Sequence, residues 1–195
     1  MLFFTHHLPC RFDPAPKEAA MSHSELEQQI RLITDFPQPG ILFRDITPLL
    51  RNELKATINA LSELLTDSEW SAIDAIVGIE SRGFILASAL AYARNKGFLV
   101  VRKPNKLPPP VYRVGYSLEY GQDNLEMSSQ FDRQRILIVD DVLATGGTLD
   151  AACQLCELAG HDIRQMLTLI NLANLNDFNW RGLRPRALFS YGATS

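Results

Sequence analysis

Cysteine is scarce in this chain, with three in 195 residues, at Cys10, Cys153 and Cys156. An odd number without disulfide-like spacing excludes a stapled secreted scaffold and suits a reducing cytoplasm. Cys153-Gln154-Leu155-Cys156 is a C-x-x-C, but a zinc site needs further ligands at workable spacing, and only His161 lies near. Both thiols fall in a helical stretch beside Leu155 and Leu158, where they read as small buried apolar side chains. No apolar run reaches membrane-spanning length, and Met1-Leu2-Phe3-Phe4 is too short for a signal-peptide core before His6, His7 and Pro9 interrupt it. Net charge is only −3, from 19 basic and 22 acidic residues, so the balance offers no argument for nucleic acid or a membrane as partner. Any attraction for an anion must therefore be local. Internal repeats and low-complexity tracts are missing, and so are the two common nucleotide-binding loops, G-x-x-x-x-G-K-[ST] and G-x-G-x-x-G.

What is present is enough apolar material for a core: 46% of the 195 residues are hydrophobic, which suits one α/β domain. Residues 1–20 read as an irregular extension and 21–195 as a single domain. Met21 stands just before the first helix signal and is a candidate translation start, which the intact mass of natively expressed protein decides. Ser24-x-x-Glu27 has the capping-box pattern, and Leu26, Ile30 and Ile33 continue at helical spacing, predicting a helix over 24–34. Two prolines and a glycine in Asp35-Phe36-Pro37-Gln38-Pro39-Gly40 break it. Residues 41–46 are extended, and Thr47-Pro48 supplies an N-cap and N1 proline for a helix to about Leu65. Strands over 72–79 and 98–102 bracket a helix from Ser81-Arg82-Gly83-Phe84 to about Asn95. Residues 103–115 carry Pro104, Pro108, Pro109 and Pro110, which excludes a regular central strand or helix. Residues 116–119 and 125–127 flank Tyr120-Gly121-Gln122-Asp123-Asn124 as a short hairpin. Another strand follows over 163–172, and the remainder is irregular with an apolar run at 187–191. Strands alternating with helices indicate a doubly wound, mostly parallel sheet flanked by helices.

The most informative stretch is Arg135-Ile136-Leu137-Ile138-Val139-Asp140-Asp141-Val142-Leu143-Ala144-Thr145-Gly146-Gly147-Thr148. Its apolar run suits a central parallel strand covered on both faces, and residues 149–158 show helical spacing directly afterwards. The loop between them sits at the carboxyl edge of the sheet, where open α/β sheets bind ligands and where N–H groups at a helix N-terminus favour phosphate. Two adjacent carboxylates at the end of that strand need a partner other than the phosphate. Ribose hydroxyls supply one, because ionised carboxylates are strong acceptors for them. The duller reading, a βα turn with a solvated acidic pair, leaves both glycines and both threonines unexplained.

This stretch resembles, from Ile136 to Thr148, the phosphoribosyl-diphosphate (PRPP) motif of type I phosphoribosyltransferases. Four more segments, in family order, resemble adenine phosphoribosyltransferases in particular. Asp35-Phe36-Pro37-x-Pro39-Gly40-Ile41-x-Phe43-Arg44-Asp45-Ile46 is similar to the base-binding segment, and Gly78-Ile79-Glu80-Ser81-Arg82-Gly83-Phe84 to the pyrophosphate loop. Arg102-Lys103-x-x-Lys106-Leu107-Pro108 resembles the start of the flexible catalytic loop, and Tyr116-Ser117-Leu118-Glu119-Tyr120-Gly121 its end. The resemblance implies the type I phosphoribosyltransferase fold with a flexible catalytic hairpin, and purine salvage: ribose 5-phosphate passes from PRPP to adenine, giving AMP and pyrophosphate. It implies a cytoplasmic homodimer using magnesium held mainly through the substrate, with no direct protein ligand.

The implied roles are specific. Asp140 and Asp141 meet the ribose, and Ala144, Thr145, Gly146, Gly147 and Thr148 the 5-phosphate. Ser81, Arg82, Arg102, Lys103 and Lys106 meet the pyrophosphate, Arg82 also acting in catalysis. Leu42 and Arg44 read the adenine edge through their main chain, and Leu172 lies against its face. Glu119 is the acid/base near the purine imidazole, and Tyr120 covers the closed site. Glu80 is read as orienting Arg82. Two positions depart from the family pattern: Pro109 where glycine is usual, and Asn171 where glutamate is frequent. A transferase for hypoxanthine, guanine or xanthine is disfavoured by Glu-Ser-Arg-Gly-Phe and Leu-Glu-Tyr-Gly, and a PRPP-sensing regulator by the lack of a DNA-binding appendage.

Overall fold

The computed structural model describes residues 21–118 and 121–192, with the side chains of 117, 118, 121 and 122 left aside. The first helix, α1 (His23–Glu27), is shorter than its periodicity predicts and is capped two residues earlier. Ser22, not Ser24, is the N-cap: its hydroxyl accepts from the Glu25 N–H at 3.3 Å, and the Glu25 carboxylate accepts from the Ser22 N–H at 2.8 Å. Residues 31–34, expected to be helical, instead form β1 (Arg31–Thr34), antiparallel to β2 (Leu42–Asp45). The Pro/Gly segment between them reverses the chain, which gives the Ile33 and Thr34 backbones ladder partners that suit their β-branched side chains.

Helix α2 (Thr47–Glu63) starts one residue before its proline, with Ile46 at the N-cap position instead of Thr47. The Thr47 N–H donates to Asp45 Oδ1 at 2.9 Å, so the cap acceptor comes from the end of β2. A short helix unforeseen in the sequence, α3 (Asp67–Ser71), follows with its own Thr66/Glu69 capping box. Then come β3 (Ala75–Ile79), α4 (Arg82–Ala93), β4 (Gly97–Val101), β5 (Val111–Leu118), β6 (Gly121–Ser128), β7 (Arg135–Leu143), α5 (Gly147–Leu158), β8 (Asp162–Leu172) and β9 (Arg186–Tyr191).

Five strands form a parallel sheet in the order β4-β3-β7-β8-β9. Side-chain alternation divides its interior into two cores. Leu137 and Val139 of β7 pack with α2 and α4, while Ile136 and Ile138 pack with α5 and with Leu125 and Met127 of β6. All four β7 residues are fully buried, each contributing roughly 1.5–3 kcal/mol. From β3 the chain winds outward to β4, then returns past β3 to β7 and winds the other way, so the strand order reverses between β3 and β7. A crevice at the carboxyl ends of those two strands is where such sheets bind ligands.

Beside this sheet, β5 and β6 make an eight-rung antiparallel hairpin from Val111↔Ser128 to Leu118↔Gly121. It is longer than predicted, and its strand begins inside the segment expected to be irregular, because the prolines end at Pro110 and leave every later N–H free to pair. Residues 121–124, expected in the turn, are paired in β6, opposite Leu118 to Gly115.

Candidate active site

At the switch point, β7 outruns its neighbour. Its pairing with β3 stops at Val139, whereas its pairing with β8 continues to Leu143↔Asn171. Asp140 and Asp141 therefore lie within the strand, not at its end, on the side where β3 has turned away through Glu80 and Ser81 into α4. The two carboxylates are only 8% and 7% exposed. Burial, reinforced by the Asp141 charge, pushes the Asp140 carboxyl well above the usual carboxylate range. Burial also raises Asp141, opposed by the Arg82 guanidinium, whose Nη2 stands 2.8 Å from Asp141 Oδ2. Close packing of α4 onto this pair requires Gly83: a Cβ there would lie 2.8 Å from Asp140 Oδ1 and 3.0 Å from the Val139 carbonyl.

Beyond β7, Ala144, Thr145, Gly146, Gly147 and Thr148 turn into α5. Gly146 is the N-cap in the left-handed region, φ +94°, and no side chain caps the helix. The first N–H groups of α5 are thus available to an anion, as the helix dipole favours.

On the other side of Asp141 is a pocket of about 150 Å³. Ile41, Leu42, Phe43 and Arg44 form one wall; Val142, Ile170 and Leu172 face them, and Arg82 closes the end toward the acidic pair. Leu42, Arg44 and Leu172, expected around one ligand, do share one cavity. Ile41, Phe43, Val142 and Ile170 were missed. Val142 and Ile170 carry no signal beyond strand alternation, whereas Ile41 and Phe43 were already visible inside the base-segment motif. The Arg82 guanidinium lies 5.6 Å from the Phe43 ring centroid, and that of Arg44 4.0 Å from the Tyr191 ring centroid.

The remaining cations are arranged differently from expectation. Glu80 pairs with Arg102 at 3.3 Å and accepts the Lys103 N–H at 2.8 Å, so it orients Arg102 and the loop, not Arg82. Burial would raise the Glu80 pKa, but those contacts outweigh it and hold the carboxyl below its ordinary value. Lys103 forms an ion pair with Asp123 of β6, and its ammonium donates to the Tyr116 hydroxyl at 3.2 Å. Lys106 is exposed, and its carbonyl accepts from Arg102 at 3.4 Å. Ser81, exposed, is the N-cap residue of α4. Glu119 and Tyr120 lie outside the described residues, as does Cys10. Cys153 and Cys156 are fully buried free thiols in α5, and burial raises both pKa values.

Comparison with known proteins places these features in context. The phosphoribosyl transferase domain family matches residues 48–171. The adenine phosphoribosyltransferase of Hydrogenovibrio crunogenus is 45% identical over 171 residues, covering 88% of this chain and 99% of that protein. The crystal structure of the adenine phosphoribosyltransferase from Thermoanaerobacter pseudethanolicus superposes with a TM-score of 0.76 at 37% identity, over 87% of this chain and all of that one. That of the Saccharomyces cerevisiae enzyme, complexed with an imino-altritol bisphosphate and adenine, gives 0.78 at 33% identity, over 85% and 97% of the two chains.

Proposed function

This chain belongs to the adenine phosphoribosyltransferases of the phosphoribosyl transferase family, and from that premise we propose how its residues share out the reaction. The enzyme transfers ribose 5-phosphate from PRPP to adenine, releasing pyrophosphate and forming AMP. In the transfer, the bond from the anomeric carbon to the pyrophosphate oxygen breaks and a bond to the adenine imidazole nitrogen forms, through an oxocarbenium-like state. The site must therefore stabilise a cationic sugar, a leaving polyanion and a proton lost from the base.

The α5 N-terminus with Ala144, Thr145, Gly146, Gly147 and Thr148 holds the 5-phosphate, and Asp140 and Asp141 accept from the ribose hydroxyls. Their charge next to the ribose favours the cationic state. Adenine occupies the pocket of Leu42, Arg44 and Leu172. The observation that carries this assignment is the continuity of that pocket with the acidic pair through Arg82, 2.8 Å from Asp141. Arg82, Ser81, Arg102, Lys103 and Lys106 receive the pyrophosphate, Lys103 exchanging Asp123 for it. Glu119 takes up the proton of the purine imidazole, and Tyr120 covers the site.

Among the described residues, no three His, Cys, Asp or Glu side chains gather into a metal cage. The buried Asp140 and Asp141 would orient the ribose hydroxyls, and magnesium would be held mainly through substrate oxygens, with no direct protein ligand. Magnesium, when bound, would supply charge neutralisation at the departing pyrophosphate. A cytoplasmic setting is supported by the two free buried thiols, and a homodimer by apolar side chains left exposed on α4 and on the edge strand β4.

Incubation with PRPP, magnesium and each purine base in turn tests the assignment. AMP from adenine alone is expected. Nucleotide from another base only, or from none, refutes it.

A further inference from the structure

Asn176 lies in the connection after β8, carries no role in the assignment above, and is linked to both halves of the site. Its Nδ2 donates to the Ala144 carbonyl at 2.7 Å, to the Leu172 carbonyl at 3.0 Å and to Asn171 Oδ1 at 3.1 Å. Ala144 begins the phosphate loop, and Leu172 is a wall of the base pocket. The other end of the amide, Oδ1, accepts the Phe178 N–H at 3.2 Å. The Phe178 ring in turn abuts the phosphate loop: a Cβ on Gly146 would lie 2.7 Å from Phe178 Cδ2. One partly buried amide therefore sets the loop at two points, directly at Ala144 and through Phe178 at Gly146.

We infer that Asn176 is a positioning residue that holds the phosphate loop against the wall of the base pocket, with Asn171 as the acceptor that fixes its amide. The inference rests on residues 144–148 being the 5-phosphate loop. Backbone N–H groups bind an anion well only when they converge before it arrives, so a loop freed to rearrange loses donor affinity first. Asn171 gains a reason at the same time. A carboxylate there would set a negative charge beside Leu143 and the start of the phosphate loop, whereas the neutral Asn171 carbonyl offers Asn176 an acceptor without it.

Two variants and one control test this by steady-state kinetics with a thermal melt. In Asn176→Asp, which keeps the shape and the acceptor for Phe178 but loses the donors, KM for PRPP rises about tenfold, as for one or two lost hydrogen bonds. Asn176→Ala shows a rise of the same order, and kcat of the folded fraction stays within about threefold in both. Thr148→Ala, in the loop itself, raises KM for PRPP without any change at Asn176. Wild-type KM for PRPP in folded Asn176→Asp overturns the inference while leaving the loop assignment standing. Activity that falls only with the folded fraction overturns it too. An unchanged KM in Thr148→Ala removes the loop assignment and the inference with it.

Discussion

Burial that raises the Asp140 carboxyl above its ordinary pKa of 3.8 works against the folded state at neutral pH. Between 3.8 and the raised value the folded chain binds more protons than the unfolded one, so stability climbs as pH falls through that window and declines as pH rises. Asp140→Asn removes the penalty and keeps an oxygen for the Asp141 N–H, which Asp140 Oδ1 accepts at 2.9 Å. Tm of the variant should therefore exceed wild type at pH 7, at about 2–4 °C per kcal/mol for a chain of this size, and the gap should narrow toward pH 5. Transfer activity should fall by at least about tenfold with loss of a charged acceptor for the ribose. A variant less stable than wild type at pH 7 contradicts this account. Glu119 is argued from its motif alone, and its prediction is kinetic: Glu119→Ala lowers kcat by on the order of 10²-fold or more with PRPP affinity little changed. Equal losses in both would make it structural. At this scale the turn from β7 through Gly146 into α5 was legible because its strand, glycines and helix stand in consecutive residues, and the PRPP role proposed for it rests on that run. Asn176 was not, because its meaning depends on Ala144, 32 residues away, and on nothing local.

The hairpin of β5 and β6 is fastened to the site by a few charged contacts. Lys103 pairs with Asp123, and the buried Glu126 takes the Arg113 guanidinium and the Asn105 N–H, so both arms and the preceding loop are tied together. Lys103 is also assigned to the pyrophosphate, which makes Asp123 its competitor in the resting state. Burial lowers the Lys103 pKa, but the hydrogen bonds to Asp123 and Tyr116 outweigh it and leave the ammonium charged at any working pH. Asp123→Asn should lower KM for PRPP by at most about fivefold, the worth of a partly exposed pair, with the effect shrinking in high salt. A rise in KM would show that Asp123 orients Lys103 for the substrate instead of withholding it. The elements themselves divide by what specifies them. Strands β3 and β7 and helix α4 were readable because burial on both faces or on one stripe dictates their composition. The stretch 31–34 was misread because Ile30 and Ile33 fit a helical period, while the strand there is created by its pairing with 42–45, a tertiary fact. The hairpin was likewise understated, since a proline-rich approach conceals where the prolines stop.

For the molecule as a whole, the net charge of −3 gives no field to attract a polyanionic donor, so the cations gathered at the sheet edge must do it alone. A second whole-molecule property is the surface that remains apolar. Helix α4 turns Ile85 and Tyr92 outward, seven residues apart and so on one face, and Tyr92 is 92% exposed. The adjoining edge strand β4 exposes Phe98, whose ring meets Phe84 of α4 edge-on at 6.2 Å between centroids. An edge strand beside exposed aromatic and aliphatic side chains is a surface suited to being covered, and a two-fold contact would cover it with the same face of a second copy. The face adjoins the site directly, because α4 begins with Arg82, so self-association would steady the residue that closes the base pocket. Sedimentation of the wild-type chain at micromolar concentration should give twice the 21.9 kDa of one chain. Ile85→Asp with Tyr92→Asp should bring it to a single chain and weaken PRPP binding, whereas Leu158→Asp, at an exposed leucine on α5, should leave the assembly intact. A wild-type monomer, or a double variant that still pairs, places the contact elsewhere and separates Arg82 from it.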